Sequence, residues 1–306
     1  MDSTGQEYKA GFVAVVGRPN VGKSTLLNTL LGQVVAAVSK HPQMTRRQQL
    51  GILTLENGQI VFMDTPGLHK PHHKLGEYMN EIARIAMLDA DVLLWIVDAS
   101  LPPHPEDLLV GELLETYRLV GHTILVLNKT DQLPGSQREK RTTAYLSLAP
   151  EAFPILVSAT TGQGTDLLLK EILLRLPPGP QLYETEQVTD LYEREITADL
   201  IRQACMENLR EELPHSIAIR VDEYSERGEN AAHITATIFV EKESQKGIAI
   251  GQGGDMIKKI GSAARKEIET MSGRKVYLEL RVKVNKSWRN NPDALRLLGY
   301  QTAKNE

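Results

Sequence analysis

The feature that most constrains this chain is a glycine-rich loop near its N-terminus. The loop reads Gly-Arg-Pro-Asn-Val-Gly-Lys-Ser-Thr at residues 17–25, a match to G-x-x-x-x-G-K-[ST]. It follows the apolar run 12–16 and precedes leucines at helical spacing, which predicts a strand, a loop and a helix in succession. In that setting, backbone N–H groups of the loop and the helix N-terminus bind phosphates. The predicted binding residues are Gly17, Asn20, Val21, Gly22, Lys23, Ser24 and Thr25.

A second motif, Asp-Thr-Pro-Gly at residues 64–67, closes another apolar run. A carboxylate at the C-terminal end of a strand lies where ligands meet an open α/β sheet. Asp64 can hold Mg²⁺, usually through water, and the Gly67 N–H can reach a γ-phosphate because no side chain blocks its approach. Lys23 would reach the β- and γ-phosphates, and the hydroxyl of Ser24 would complete the coordination of Mg²⁺.

A third motif, Asn-Lys-Thr-Asp at residues 128–131, predicts which base is bound. A carboxylate at Asp131 accepts hydrogen bonds from N1–H and the exocyclic amine of guanine, whereas adenine offers neither donor there. Leaving a buried carboxylate unpaired costs on the order of several kcal/mol, so the pattern favours guanine. Asn128 would brace the base and the phosphate loop, and the stem of Lys129 would lie over the ring plane. Backbone contacts to the guanine oxygen are predicted at Ser158, Ala159 and Thr160.

In order and spacing, these motifs resemble the translation-factor-related GTPases over the chain up to about Leu176. The resemblance implies GTP and GDP as ligands and hydrolysis of GTP to GDP and phosphate. It also implies that Thr45, which precedes Arg46, binds Mg²⁺ when GTP is present, although the usual preceding threonine is Met44 here. The metal ligands implied are Ser24, Thr45 and Asp64, and the catalytic residues implied are Lys23, Thr45, Asp64, Gly67 and Asn20.

The motif at residues 64–67 is followed by Leu68, where a Ras-like enzyme has a glutamine that orients the attacking water. Leucine cannot orient water, so we expect slow intrinsic hydrolysis, as in a timed switch. Asn20 resembles the residue that coordinates K⁺ beside the phosphates in potassium-activated relatives. A potassium ion at this position is therefore a hypothesis drawn from the resemblance.

The sequence Pro-Pro-Gly-Pro at residues 177–180 marks the clearest boundary in the chain, because proline disfavours helix before it. We predict a GTPase domain at residues 8–177, a linker at 178–192 and a second domain at 193–306. In the second domain the apolar spacing predicts a helix over 193–213. Alternating strands, a short helix, a Gly-x-x-Gly loop at 251–254, a longer helix and a final strand follow.

This order of elements resembles the type II KH domain, and residues 251–254 match its signature loop. Such a loop clamps about four nucleotides of single-stranded nucleic acid against backbone N–H groups at a helix N-terminus. Residues 246–289 contain eleven basic and four acidic residues, a net charge of +7, whereas residues 179–245 carry six and fifteen, a net charge of −9. This polarity favours phosphate contact at the loop. The predicted RNA contacts are Lys246, Gly251, Gln252, Gly253, Gly254 and Lys258.

As a whole, the chain resembles the Era family of GTPases. The expected fold is α/β, a P-loop GTPase domain with a mostly parallel central sheet followed by a smaller α+β type II KH domain. The resemblance implies a switch in maturation of the small (30S) ribosomal subunit that binds 16S rRNA and 30S precursors. The alternative is a regulatory GTPase whose C-terminal domain docks a protein or membrane partner. A P-loop kinase is opposed by the guanine motif, and a tRNA-modifying GTPase by the lack of a cysteine near the C-terminus.

We expect a monomer in the cytoplasm. The single cysteine, Cys205, permits no intrachain disulfide, as in proteins of a reducing compartment. Residues 1–7 lack the basic and apolar regions of a signal peptide, and the longest apolar run, 92–97, is far too short to span a bilayer. Weak peripheral association with the inner face of the cell membrane is implied by the resemblance alone, without a strongly amphipathic basic helix to support it.

Overall fold

The computed structural model describes residues 7–37, 44–228 and 230–300. The described residues form two compact units. The first contains those that fall within Met1–Ala36, Thr45–Lys70 and Met79–Asp190. The second contains those within Ala37–Met44, Pro71–Tyr78 and Leu191–Glu306.

The first unit is built on a sheet in which six strands occur among its described residues, in the order β2-β3-β1-β4-β5-β6. Strand β2 runs antiparallel to β3, and the other neighbours are parallel. The sheet is therefore mostly parallel, as predicted. The strands are β1 (Lys9–Val16), β2 (Gln49–Leu55), β3 (Gly58–Asp64), β4 (Val92–Asp98), β5 (Thr123–Asn128) and β6 (Phe153–Leu156).

Helices cover both faces of this sheet because its strands are apolar on both sides. Every residue of β3, β4 and β5 is buried, as expected for parallel strands between helices. One core cluster includes leucines from α1 and α5, and the other includes residues from α2, α3 and α4. The helices are α1 (Lys23–Leu31), α2 (Lys74–Asp89), α3 (Pro105–Thr116), α4 (Arg138–Leu146) and α5 (Thr165–Arg175).

The carboxyl ends of the parallel strands deliver all the predicted nucleotide motifs to one edge of the sheet. The phosphate loop follows β1, residues 64–67 begin at the end of β3, and residues 128–131 begin at the end of β5. Residues 158–160 follow β6. This edge is where ligands bind in open α/β sheets.

The second unit contains, among its described residues, a three-stranded sheet in the order β7-β8-β9, with β7 antiparallel and β9 parallel to β8. Helices α6 and α8 contribute buried apolar residues to the core of this unit. The order of elements agrees with the prediction. They are α6 (Glu193–Asn208), β7 (Ala218–Glu226), β8 (Ala231–Val240), α7 (Glu243–Ile250), α8 (Asp255–Ser272), β9 (Lys275–Val284) and α9 (Pro292–Leu297).

Helix α6 is shorter than predicted, because it ends at Asn208 and not at residue 213. Leu209 has extended backbone angles, and Glu211 has a φ of 56° in the left-handed region. Leu209 and Leu213 are nevertheless both buried in the core. The apolar spacing correctly indicated burial, but a turn and not a further helical turn delivers Leu213. Within the described parts of the chain, no helix is long and apolar enough to cross a membrane.

Candidate functional site

The phosphate loop has a backbone that side chains at its glycines would disrupt. Gly17 has a φ of 148°, and a Cβ there would lie 2.3 Å from the carbonyl oxygen of Ile96. Gly22 has a φ of 98°, and a Cβ there would lie 2.4 Å from Nδ2 of Asn128. Asn20 also lies in the left-handed region, with a φ of 63°. Both glycines are therefore required where the loop approaches its neighbours most closely.

Lys23 begins α1 and is buried, with 7% of its surface exposed. Its Nζ donates to the carbonyl oxygens of Gly17 (3.1 Å) and Arg18 (3.0 Å). Burial, opposed by the charge of Asp64, lowers the pKa of Lys23 to about 8. The ammonium group that is predicted to bind phosphates is thus held inside the loop and away from bulk water.

The three predicted magnesium ligands converge on one point. Oδ2 of Asp64 accepts hydrogen bonds from Ser24 Oγ at 3.0 Å and from Thr45 Oγ1 at 3.3 Å. The two hydroxyl oxygens lie 3.1 Å apart. Gln49 Nε2 also donates to this carboxylate, at 3.4 Å. Sequence reasoning missed Gln49, because only the pairing of β2 with β3 places it opposite Asp64.

These residues fit a magnesium ion. Asp64 is fully buried, and burial raises its pKa, while the Lys23 ammonium and the hydrogen bonds from the hydroxyls act in the opposite direction. Its Oδ1 atom is buried without a hydrogen-bond partner among the described residues. A buried carboxylate oxygen of this kind, beside two hydroxyls, is the oxygen-rich environment that Mg²⁺ prefers.

The turn after β3 packs directly against the phosphate loop. A Cβ at Gly67 would lie 2.7 Å from the backbone nitrogen of Pro19, so only glycine fits there. The next N–H, from Leu68, donates to the carbonyl oxygen of Gly17 at 3.1 Å. The side chain of Leu68 is 2% exposed and belongs to an apolar core cluster. Leu68 therefore contributes to packing and not to water orientation.

Side-chain hydrogen bonds connect the three segments predicted to surround guanine. Asn128 Nδ2 donates to the carbonyl oxygen of Val21 at 2.8 Å, and its Oδ1 accepts from the N–H of Ala159 at 3.0 Å. Ser158 Oγ donates to Oδ1 of Asp131 at 2.7 Å and lies 3.2 Å from Thr160 Oγ1. The geometry thus brings Asp131 and residues 158–160 to one place, tied to the phosphate loop through Asn128.

The ammonium group of Lys129 is held by two oxygens. It donates to the backbone carbonyl of Asn20 at 2.9 Å and to Oδ2 of Asp98 at 2.6 Å. Only 7% of the Asp98 side chain is exposed, and its hydrogen bonds with Lys129 and Ser100 lower its pKa despite its partial burial. Asp98 ends β4 and belongs to none of the predicted motifs. Its contact with Lys129 could not be predicted without knowing that β4 and β5 are neighbours in the sheet.

The Gly-x-x-Gly loop of the second unit lies between α7 and α8. Gly251 has a φ of 75°, and a Cβ there would lie 2.7 Å from the backbone nitrogen of Met256. Gly253 has a φ of 61°, and among the described residues no heavy atom lies within 4 Å of its Cβ position. Gly254 is the N-cap of α8. The loop is therefore tightly packed at Gly251 and open at Gly253.

A groove of about 320 Å³ lies beside the start of α8, between that helix and β9. It combines apolar walls with two exposed cations, Lys258 and Arg265, and with Tyr277, which is 62% exposed. Tyr277 stacks on His233 with a ring distance of 5.3 Å. Lys246 lies on the preceding helix, α7, and Gln252 is exposed in the loop itself. Sequence reasoning missed Arg265 and Tyr277, because alternation along β9 does not reveal which neighbouring helix it faces.

Comparison with known proteins supports both halves of this description. The family model described as a 50S ribosome-binding GTPase matches residues 12–129. The family model described as a KH domain matches residues 212–289.

Full-length relatives carry both domains. A protein named GTPase Era from Ruminiclostridium cellulolyticum is 43% identical over 298 residues, which span 97% of this chain and 99% of the relative. One from Leuconostoc citreum is 43% identical over 96% of this chain and 97% of its own length. A crystal structure of Era in complex with MgGDPNP and nucleotides 1506–1542 of 16S ribosomal RNA has a TM-score of 0.90 at 39% identity, and covers 96% of this chain and 100% of its own. An Aquifex aeolicus Era variant bound to GDP·AlF4⁻ has a TM-score of 0.89 at 39% identity, with the same coverage.

Proposed function

The chain belongs to the Era family of GTPases, and we propose that its GTP cycle times its binding to the 3′ part of 16S rRNA during assembly of the 30S subunit. The observation that carries the proposal is the Gly-x-x-Gly loop, open at Gly253, followed by a helix that lines a groove with an exposed aromatic and two exposed cations. An Era structure with RNA bound covers 96% of this chain. The fold class and the guanine-nucleotide chemistry predicted from the sequence are confirmed by this membership.

The groove offers the two kinds of contact that single-stranded RNA requires. The glycines at 251–254 let a sugar–phosphate backbone approach N–H groups at the start of α8. Lys258 and Arg265 supply positive charge for phosphates, and the exposed ring of Tyr277 supplies a surface on which a base can stack. Such contacts do not suit a duplex, whose bases are already stacked. We therefore assign single-stranded RNA to this groove.

The GTPase site supports hydrolysis by positioning and charge stabilisation. Ser24, Thr45 and Asp64 would hold a magnesium ion, which would supply positive charge to neutralise the β- and γ-phosphate oxygens. Lys23 stabilises negative charge on the same oxygens, and the Gly67 N–H can donate to the γ-phosphate. The chain supplies no side chain at position 68 that can orient water, since Leu68 is buried in the core. Slow intrinsic hydrolysis follows.

Potassium is a further part of the proposal. Asn20 occupies a left-handed position in the phosphate loop, with its carbonyl fixed by Lys129. We assign its side chain to a K⁺ ion beside the phosphates. Hydrolysis should then be faster in KCl than in NaCl at equal ionic strength, and equal rates in the two salts would refute this assignment.

RNA binding can be tested by comparing substitutions at two glycines that flank α8. Gly253 precedes α8 and Gly273 follows it; both have positive φ, 61° and 67°, and both have open space around the Cβ position among the described residues. Gly253→Asp and Gly273→Asp therefore impose similar backbone strain, but only the first places a carboxylate in the predicted phosphate path. We expect Gly253→Asp to weaken binding of a single-stranded 16S 3′-end RNA by about tenfold or more, and Gly273→Asp to change it little.

The measurement is fluorescence anisotropy with the single strand and with its duplex, each in GDP and in a non-hydrolysable GTP analogue. A clear difference in RNA affinity between the two nucleotide states is expected if the cycle times binding. Unchanged RNA affinity in Gly253→Asp would favour the alternative, in which the C-terminal domain docks a protein or membrane partner. The same preparation tests the proposed monomeric state by sedimentation, and co-sedimentation with anionic vesicles tests the weak membrane association.

A further inference from the structure

A buried carboxylate lies beside the phosphate loop, outside every recognised motif. Asp107, in the first turn of α3, is fully buried. Its Oδ2 atom accepts from Arg18 Nε at 3.2 Å and from the N–H of His104 at 2.9 Å. Its Oδ1 atom is buried without a hydrogen-bond partner within the described parts of the chain. Arg18, the second residue of the phosphate loop, has only 12% of its side chain exposed.

Helix capping alone does not account for this burial. A carboxylate that only caps a helix loses nothing by remaining in water, whereas a buried carboxylate needs a partner to offset its desolvation. Here the partner is the guanidinium of Arg18, so the pair connects α3 to the loop. The same contact directs Arg18 toward α3, which makes it unsuited to act on the phosphates itself.

A tyrosine reinforces the pair from the other side. The side chain of Tyr145 on α4 is fully buried, and its hydroxyl donates to the carbonyl oxygen of Asp98 at 3.1 Å and lies 3.5 Å from Asp107 Oδ2. Burial raises the pKa of Tyr145, so the hydroxyl remains a donor. Asp98 in turn holds Lys129 against the carbonyl of Asn20. The phosphate loop is thus held at two points: Asp107 binds the side chain of Arg18, and Asp98 binds Lys129, which donates to the carbonyl of Asn20.

We propose that Asp107 is a positioning residue for guanine-nucleotide binding, which acts through Arg18 to fix residues 18–20 of the phosphate loop. The loop binds phosphates through N–H groups whose directions depend on its backbone, so a small displacement weakens several hydrogen bonds together. Asp107 acts on nucleotide binding by the first unit, and this role is independent of RNA binding and of 30S assembly.

The experiment is a double-mutant cycle on release of a fluorescent GDP analogue by the full chain. Asp107→Asn and Arg18→Gln should each speed release about tenfold, and the double variant should release no more than about twofold faster than either single variant, because both remove the same contact. Glu112→Gln is the matched control: it removes a charge from the same helix, at an exposed residue. Its release rate should remain that of the wild type.

Four outcomes would overturn the proposal. The first three are multiplicative effects in the double variant, wild-type release by Arg18→Gln, and equal acceleration by Glu112→Gln. A loss of thermal stability in Asp107→Asn with an unchanged release rate would show a purely structural carboxylate. If Asp107→Asn does not fold, Arg18→Gln still decides the question, because it leaves the helix cap intact.

Discussion

We assign the choice of guanine to one carboxylate, Asp131, which the structure places beside Ser158. The Ser158 hydroxyl donates to Oδ1 of Asp131 and so limits the directions in which the carboxylate can accept from a base. In Asp131→Asn the amide replaces one acceptor by a donor. We expect GDP affinity to fall by about 100-fold and xanthosine diphosphate, which has an oxygen in place of the guanine amine, to bind better than GDP. Competition against a fluorescent nucleotide measures both, and an unchanged preference for GDP would remove Asp131 from the site.

The reactivity of the Cys205 thiol tests how tightly the core of the second unit is packed. It is the only cysteine of the chain and is completely buried in the core of that unit. Burial raises the pKa of its thiol to about 12. At pH 8 only about one thiol in ten thousand is ionised, and the thiolate is the reactive form. The native protein should therefore resist a disulfide reagent at pH 8 and react with one equivalent in urea. Rapid labelling of the native protein would show that the Cys205 thiol is accessible to solvent and not buried in this core.

At the scale of elements, the turn after β3 explains why a leucine stands where other GTPases have glutamine. Leu68 fills a core cluster while its backbone N–H binds the phosphate loop. Leu68→Gln should bury an amide without partners, destabilise the protein by about 2–4 kcal/mol and leave hydrolysis slow. Leu68→Met, which conserves volume, should cost less than about 1.5 kcal/mol. Urea unfolding and single-turnover hydrolysis measure these effects, and a strongly accelerated Gln variant would show that position 68 faces the nucleotide.

The elements themselves were largely predictable, since apolar runs and glycine motifs report local backbone requirements. Contacts between elements were not. Gln49 reaches Asp64 through a strand pairing, and Asp107 reaches Arg18 across 89 positions of sequence. The end of α6 was missed because Leu213 is buried although it lies in a turn beyond the helix. The spacing of apolar residues cannot distinguish such a turn from a further turn of helix. Side chains that position a site are thus harder to find from sequence than those that touch its ligand.

At the scale of the whole molecule, the chain combines a guanine-nucleotide unit with a KH unit. The domain limits proposed from the sequence, residues 8–177 and 193–306, remain a prediction. In limited proteolysis, first cleavage within residues 178–192 is expected if that segment is a linker, whereas its protection would favour a limit near Asp190, where the first compact unit ends. Residues 246–289, which include the Gly-x-x-Gly loop, carry a net charge of +7, whereas residues 179–245 carry a net charge of −9. We propose that this distribution directs RNA to one place on the second unit.

We propose that this GTPase binds the 3′ region of 16S rRNA through the loop at residues 251–254. Ultraviolet crosslinking of the full chain to cellular RNA, followed by mapping of the crosslinked positions, tests it most directly. We expect crosslinks to concentrate at the 3′ end of 16S rRNA for the wild type and for Gly273→Asp, and we expect Gly253→Asp to lose them. Crosslinks spread over unrelated RNAs, or an unchanged map in Gly253→Asp, would contradict it.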